Sequence, residues 1–390
     1  MAQRILYLEY QLILDDVVQE LKDRGHVVFA LNPSSLTVQK FIQTCRQSNI
    51  DWVFSINFSP EIAFLCSKIQ IPYVSWTIDP LPHNRFHIIE HTDPAYSICF
   101  AHDKNTVQKL QSLGFFHSQF MPLAAPNRRI ESQTLTTHPN RYRCDCSFVG
   151  SSMNDELIQF KNMLQKSSQL QHYEEILLWL QQVTFEYVLH PSYQGLQTLM
   201  ENSAIPSTIQ HLFETPHQKE IFFYHIDGIL AALHRRHIIS MLNKKSHNMH
   251  VWGDMQWKEI HSGYQRRAHH GDELTEIYRN SSINFDIPRL YQKHTINMRV
   301  FDVLAAGGFV LTEETDAIQN IFVVDEHIAI YNYKKDSQKA VGEQISWWLE
   351  HPMERKRIAE LGQQEVLEKH LISHRVDTIL QYMQEHFFVA

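Results

Sequence analysis

Asn297, Arg299 and Asp302 crowd the start of a short helical stretch that stops at Gly307-Gly308. The chain then turns at once into the apolar run Phe309-Val310-Leu311, as in a strand covered on both faces. Backbone N–H groups at a helix start are unpaired and can hold an anion. The planar guanidinium of Arg299 can grip two phosphate oxygens at once. Asp302, three residues on, can face the same ligand and accept from a sugar hydroxyl. These types at this spacing suit a phosphorylated sugar compound. They equally suit a buried connection in which Arg299 and Asp302 pair and hold the helix.

The preceding loop, Pro288 to Thr295, carries Arg289, Tyr291, Lys293 and His294, whose charges are expected beside the phosphates. Two small-residue turns follow strand patterns: Gly150-Ser151-Ser152 after Phe148-Val149, and Gly253 after Val251-Trp252. Such turns leave room for a phosphate against a helix start. Asp79, in Trp76-Thr77-Ile78-Asp79-Pro80, is a carboxylate at a strand end; its structural alternative is a turn cap ahead of Pro80. His83 and His87 read as ordinary loop histidines. The first strand-to-helix turn lacks Gly-x-Gly-x-x-Gly, which argues against an NAD-type site. Cys144 and Cys146 fall on one side of a strand, but no second pair sits at zinc spacing, so no metal is expected.

These residues need elements to position them. Over the first 120 or so residues the apolar periodicity alternates between short buried runs (Ile5-Leu8, Val27-Leu31, Trp52-Ile56, Tyr73-Trp76, Ser97-Phe100) and amphipathic helical stretches. That alternation predicts an α/β fold with a parallel sheet that binds ligands at the carboxyl ends of its strands. Residues 122–143, rich in Pro, Asn, Thr and Arg, read as a linker between a first domain, 1–121, and a second, 144–390. The second domain is interrupted over about 155–243 by an all-helical block, with Leu164, Leu170, Leu177, Leu178 and Leu180 spaced for a core. Lacking strand ends and phosphate-type turns, this block is expected to lie away from the phosphate site. Trp347 and Trp348 are expected in the core.

Composition narrows the class. A chain of 390 residues with 43% hydrophobic and 20% charged residues is ordinary for a globular protein. A net charge of −8 argues against nucleic acid as a main partner. No apolar run is long enough to span a membrane, and Met1-Ala2-Gln3-Arg4-Ile5 enters a strand pattern without room for a signal peptide. Five scattered cysteines suit reduced thiols in a cytoplasm.

The stretch Arg299-Val300-Phe301-Asp302, followed by Ala305-Ala306-Gly307-Gly308 and an apolar strand, resembles the nucleotide-sugar-binding helix of GT-B glycosyltransferases, and in detail the CgeB-like (spore-maturation) group. Glu313 to Phe322 resembles the acidic loop and short helix of that group, Gly362, His370 and Arg375 its closing pattern, and Phe148-Val149-Gly150-Ser151 the opening of its second domain. The Trp-x-x-Asp-Pro setting of Asp79 resembles its N-terminal half. The resemblance implies two Rossmann-like domains facing a cleft, the first on the acceptor side, with a last helix that crosses back to it. It implies transfer of a sugar from a nucleotide sugar to an acceptor (a protein, a glycan or a small molecule) without a metal or cofactor. Gly150, Ser151, Gly253, Lys293, Asn297, Arg299 and Asp302 would hold the donor, and Asp79 and His294 would serve catalysis. Relatives that retain anomeric configuration carry a glutamate where His294 stands, so retention is less firmly implied. The alternatives are a non-catalytic binding module of the same fold and a different sugar-nucleotide enzyme, such as an epimerase. Base, sugar, acceptor and oligomeric state are not legible in the sequence.

Overall fold

A computed structural model describes residues 2–10, 14–79, 81, 88–128, 141–187, 205–242, 247–290, 294–332 and 338–388. The chain divides into two compact units, Met1–Glu131 with Glu365–Ala390, and Ser132–Gln364.

The first unit is built on six parallel strands: β1 (Arg4–Leu8), β2 (Val27–Leu31), β3 (Trp52–Ile56), β4 (Tyr73–Thr77), β5 (Ser97–Ala101) and β6 (Ser118–Phe120). Their order is β2-β1-β3-β4-β5-β6. Every residue of β3, β4 and β5 is buried, which is why these strands read as unbroken apolar runs. Ser-Gln-Phe of β6 is too short and polar to stand out by pattern, and it pairs only along β5. The helices α1 (Leu14–Asp23), α2 (Val38–Gln47), α3 (Pro60–Ile69) and α4 (Lys104–Ser112) alternate with the strands. Their starts are chemically marked. Thr37, Ser59 and Asp103 each accept from a backbone N–H of the first turn, and Pro60 opens α3.

The second unit has a five-stranded sheet, β11-β10-β9-β7-β8, again with parallel ladders. Its strands are β7 (Cys144–Val149), β8 (Met249–Trp252), β9 (Ser281–Asp286), β10 (Val310–Glu313) and β11 (Ala329–Tyr331). Between β7 and β8 lie α5 (Asn154–Lys166), α6 (Tyr173–Tyr187) and α7 (Pro216–Leu242). No strand occurs in this block among the described residues. Leu164 and Leu180 enter the core as their spacing predicts, but Leu170 and Leu178 are exposed. Beyond β8 come α8 (Trp257–Ile260), α9 (Asp272–Asn280), α10 (Met298–Ala305), α11 (Gln338–Glu350), α12 (Pro352–Lys369) and α13 (Ile372–His386). Trp348 is buried, whereas Trp347, expected in the core, is 46% exposed and stacks on His351.

The last helix belongs to the first unit, where α13 packs on α1 and Arg24 pairs with Asp377 at 2.6 Å. Residues 122–127, expected to start a linker, are instead fixed into this unit. Ala125 exchanges backbone bonds with His370 and Ile372 at 2.9 Å. Arg375 donates to the carbonyls of Pro122 and Leu123 at 2.9 and 3.1 Å. Burial lowers the pKa of that guanidinium to about 10. Within the resembling C-terminal pattern, then, His370 and Arg375 tie backbone together, and Gly362 admits the His327 carbonyl where a Cβ would lie 2.2 Å away.

Candidate functional site

The carboxyl ends of β7, β8, β9 and β10 converge on one cluster. Its centre is Asp286, the last residue of β9 and only 1% exposed. A carboxylate so deep must be paired. It accepts from Arg299 Nη1 at 2.5 Å, from Asn297 Nδ2 at 3.0 and 2.9 Å, and from Thr312 Oγ1 at 2.8 Å. Arg299 and Asn297 come from the start of α10, and Thr312 from β10. The sequence reading missed Asp286, although an acid closing a buried strand next to a basic loop was its signal.

Arg299 therefore pairs with Asp286, and the alternative in which it pairs with Asp302 does not hold. Its guanidinium lies over the Phe148 ring at 5.2 Å. Nη2 would stand 2.8 Å from a Cβ placed on Gly150. Only glycine leaves that space, so the turn after β7 and the start of α10 meet at this guanidinium. Asp302 is buried on the same helix, 8% exposed. Asn297 Oδ1 and Thr315 Oγ1 are buried with no hydrogen-bond partner among the described residues.

α10 ends as its sequence predicts. Gly307 adopts φ +80°, and the N–H groups of Gly307 and Gly308 return to Leu304 and Val303 at 2.9 Å. This is the paired-bond stop for which glycine is suited. A Cβ on Gly308 would come within 2.7 Å of the Tyr278 carbonyl of α9 and of Asn284 Nδ2 of β9, so the chain leaving α10 packs tightly against both.

The Gly150 turn is held from three sides. Gly150 N donates to Trp252 O at 2.9 Å. Trp257 Nε1 donates to Gly150 O at 2.8 Å, and a Cβ on Gly253 would sit 2.1 Å from that carbonyl. Asp254 accepts from Ser151 Oγ at 3.0 Å and from Ser152 N and Oγ, both at 2.6 Å. Gly150, Ser151 and Gly253 are thus brought together.

The helical block reaches this region, contrary to expectation. Arg235 of α7 donates to Ser151 O at 3.0 Å and to Ile287 O at 2.8 Å, and lies over Phe148 at 5.8 Å. Its neighbour His234 meets Glu313, the last residue of β10, at 2.9 Å. Both partners are almost wholly buried. The mean apolar pattern of α7 hid this, because a helix buried on most sides shows no polar stripe to orient it.

His294 pairs with Asp316 of the acidic loop at 3.0 Å and remains 40% exposed. Lys293, Tyr291, His83, His87 and Pro80 lie outside the described residues. Asp79 belongs to the first unit. It accepts from Tyr10 Oη at 2.7 Å and Asn57 Nδ2 at 2.8 Å, residues that follow β1 and β3. Cys144 and Cys146 are buried thiols. Burial raises the pKa of both, that of Cys144 to about 11.

Residues 234–381 match a family model described as glycosyl transferase-like. No curated protein matches the chain in sequence. Among solved structures, a glycosyltransferase from Rickettsia africae ESF-5 superposes over 100% of both chains at 11% identity, with a TM-score of 0.56. A sucrose-phosphate synthase from Thermosynechococcus elongatus does so over 100% of both at 8% identity, with a TM-score of 0.57. HepE of Anabaena, in complex with UDP-glucose, covers 97% of this chain and 99% of its own at 10% identity and a TM-score of 0.51. No helix among the described residues is long and apolar enough to cross a membrane. The chain has the GT-B glycosyltransferase fold, and its residues 234–381 match the glycosyl transferase-like family.

Proposed function

We propose that the protein transfers a glycosyl group from a nucleotide sugar to an acceptor hydroxyl, with the donor held on the second unit. The observation that carries this is Arg299, locked by buried Asp286 through one amino group and presenting Nη2 at the Gly150 turn beside the start of α10. In transfer the acceptor oxygen bonds to the anomeric carbon, and the bond from that carbon to the diphosphate oxygen breaks. The electron pair leaves on the diphosphate, and the acceptor proton passes to a base. A preorganised donor aimed at the leaving oxygens acts where charge develops. Arg299 Nη2 and the N–H groups at the α10 start supply it, assisted by Arg289 or Lys293, so that basic groups stand in for a metal.

Asp302 and the unpartnered Asn297 Oδ1 are the acceptors we assign to the ribose. Asp79 and His294 are the catalytic candidates. The acidic loop and the Ala305-Ala306-Gly307-Gly308 stop support a place in the CgeB-like group, and five buried free thiols suit a cytoplasmic location. Because HepE is seen with UDP-glucose, uridine diphosphate sugars are the first donors to test. Thermal shift and product release over a panel of nucleotide sugars test the reading. A donor should raise the melting temperature and be slowly hydrolysed.

A further inference from the structure

A cavity of about 630 Å³ in the second unit is lined by the turn before β11, by β11 itself and by α11 and α12. Val324 and Asp325 of its lining come just before β11. Phe309, which meets the lining Trp348 at 4.9 Å, comes just before β10. β10 and β11 run parallel, so the cavity lies towards their amino ends, whereas Asp286 and its partners gather where the strands finish. No residue of that cluster lines the cavity. Its size is that of a small-molecule site, roughly 300–1,000 Å³.

The walls are braced. The half-exposed indole of Trp347 stacks on His351 at 3.9 Å and meets Trp348 edge-on at 4.6 Å. His351 Nδ1 donates to Trp347 O at 2.6 Å. Across from α11, Arg357 Nη2 donates to the Asp325 carbonyl at 2.7 Å. Asp325 is left-handed at φ +62°, and its N–H bonds to Ile328 O at 2.8 Å. Ile330 adds an aliphatic surface. The side chains of Asp325, Gln344 and Glu354 also line the cavity, and none of them has a hydrogen bond or ion pair among the described residues.

Carboxylates accept, a guanidinium donates, and a carboxamide does both. A ligand that satisfies this mixed set must itself donate and accept, as hydroxyl groups do. The indole and the aliphatic wall call for C–H surface on the same molecule, and a sugar ring carries both. Two carboxylates against one guanidinium disfavour a phosphorylated ligand, and Arg357 on the same wall disfavours a cation. We propose that this cavity is a saccharide site separate from the Arg299 cluster. In it a neutral sugar ring lies against Trp347 and bonds through its hydroxyl groups to Asp325, Gln344, Glu354 and Arg357. The site needs neither a nucleotide nor Arg299, so it stands apart from the glycosyl-transfer reading.

The test titrates lactose, maltose and di-N-acetylchitobiose into 15N-labelled protein, the indole N–H resonance of Trp347 being identified by its loss in Trp347→Leu. At least one of the three should move that resonance saturably. By calorimetry Trp347→Leu should weaken binding of that sugar about tenfold, as for a lost aromatic platform. Glu354→Ala, at an exposed position, should weaken it by about three- to tenfold, as for one lost hydrogen bond. The Arg299→Ala/Asp286→Asn variant should bind the sugar as the wild type does, and UDP should leave the Trp347 resonance in place. No Trp347 response to any of the three sugars, unchanged affinity in both Trp347→Leu and Glu354→Ala, or loss of sugar binding in the Arg299→Ala/Asp286→Asn variant would overturn the site. So would a Trp347 response to choline or octanoate and to none of the sugars. UDP binding, measured in parallel, reports separately on the transfer reading.

Discussion

At the residue scale Arg299 and Asp286 form a buried pair at the head of α10. Removing one partner of a buried pair leaves an uncompensated charge, at a cost of about 3–5 kcal/mol. Arg299→Ala alone should therefore lower both stability and donor affinity, and so cannot separate the two roles. Asp286→Asn in the same chain removes the stranded charge while Asn297 and Thr312 still find an amide oxygen to donate to. The double variant should recover most of the melting temperature lost in Arg299→Ala. It should not recover nucleotide affinity, because the charged bond to the diphosphate, roughly 1.5–3 kcal/mol, is still missing. Arg299 stood out in the sequence by its place at a helix start. Its partner did not, because Asp286 lies 13 positions earlier, on a different element, the end of β9. Asp302, three residues away, looked the better partner by helical spacing, yet tertiary geometry turned Arg299 towards the end of the strand.

At the element scale the turn after β7 and the insertion helix carry the predictions. In Gly150→Ala the new methyl would meet Arg299 Nη2 and the Phe148 ring at 2.8 and 2.9 Å. Moving the guanidinium off Asp286 and shifting the buried Phe148 ring should lower donor affinity and stability together. Gly253→Ala would press on the Gly150 carbonyl at 2.1 Å. Backbone held by Trp257 cannot give way as easily, and this variant should be much less stable than Gly150→Ala. Comparing the two melting temperatures checks the order. Arg235→Met should loosen the Ser151 and Ile287 carbonyls, seen as faster hydrogen exchange at 150–153 and 286–288 against unchanged exchange in β8. Strand and helix types were legible because buried parallel strands are continuous apolar runs. The reach of α7 into the strand ends was not, because the feature that reveals it is a contact between Arg235 and a turn 84 positions earlier.

At the scale of the whole molecule, histidine burial sets a pH dependence. Burial pushes the pKa values of His102, His250 and His261 below 6.5. Such a residue stays neutral in the fold and takes up a proton on unfolding, so stability is lost as pH falls below about 6.5. Glu273, whose pKa is lowered by its hydrogen bonds to Arg266, His269 and Tyr142 despite the opposing effect of burial, adds its loss only at lower pH, below the ordinary carboxylate value. The melting temperature should drop from pH 7.5 to 5.5, with a shallower slope in His102→Phe; a flat or rising profile would contradict the burial argument. The two α/β halves and the helical block between β7 and β8 were legible from periodicity. The attachment of the closing helix to the first unit rests on Arg375 and Arg24, whose partners lie too far along the chain for any local pattern to show.

Arg299 is proposed to bind the diphosphate of a nucleotide sugar. Calorimetric titration of UDP and UDP-glucose into the wild type and into the Arg299→Ala/Asp286→Asn variant tests it most directly. We expect saturable binding to the wild type and affinity at least about tenfold lower in the variant, measured where both are folded. Equal affinities in the two proteins, or no binding of either ligand to the wild type, would contradict it.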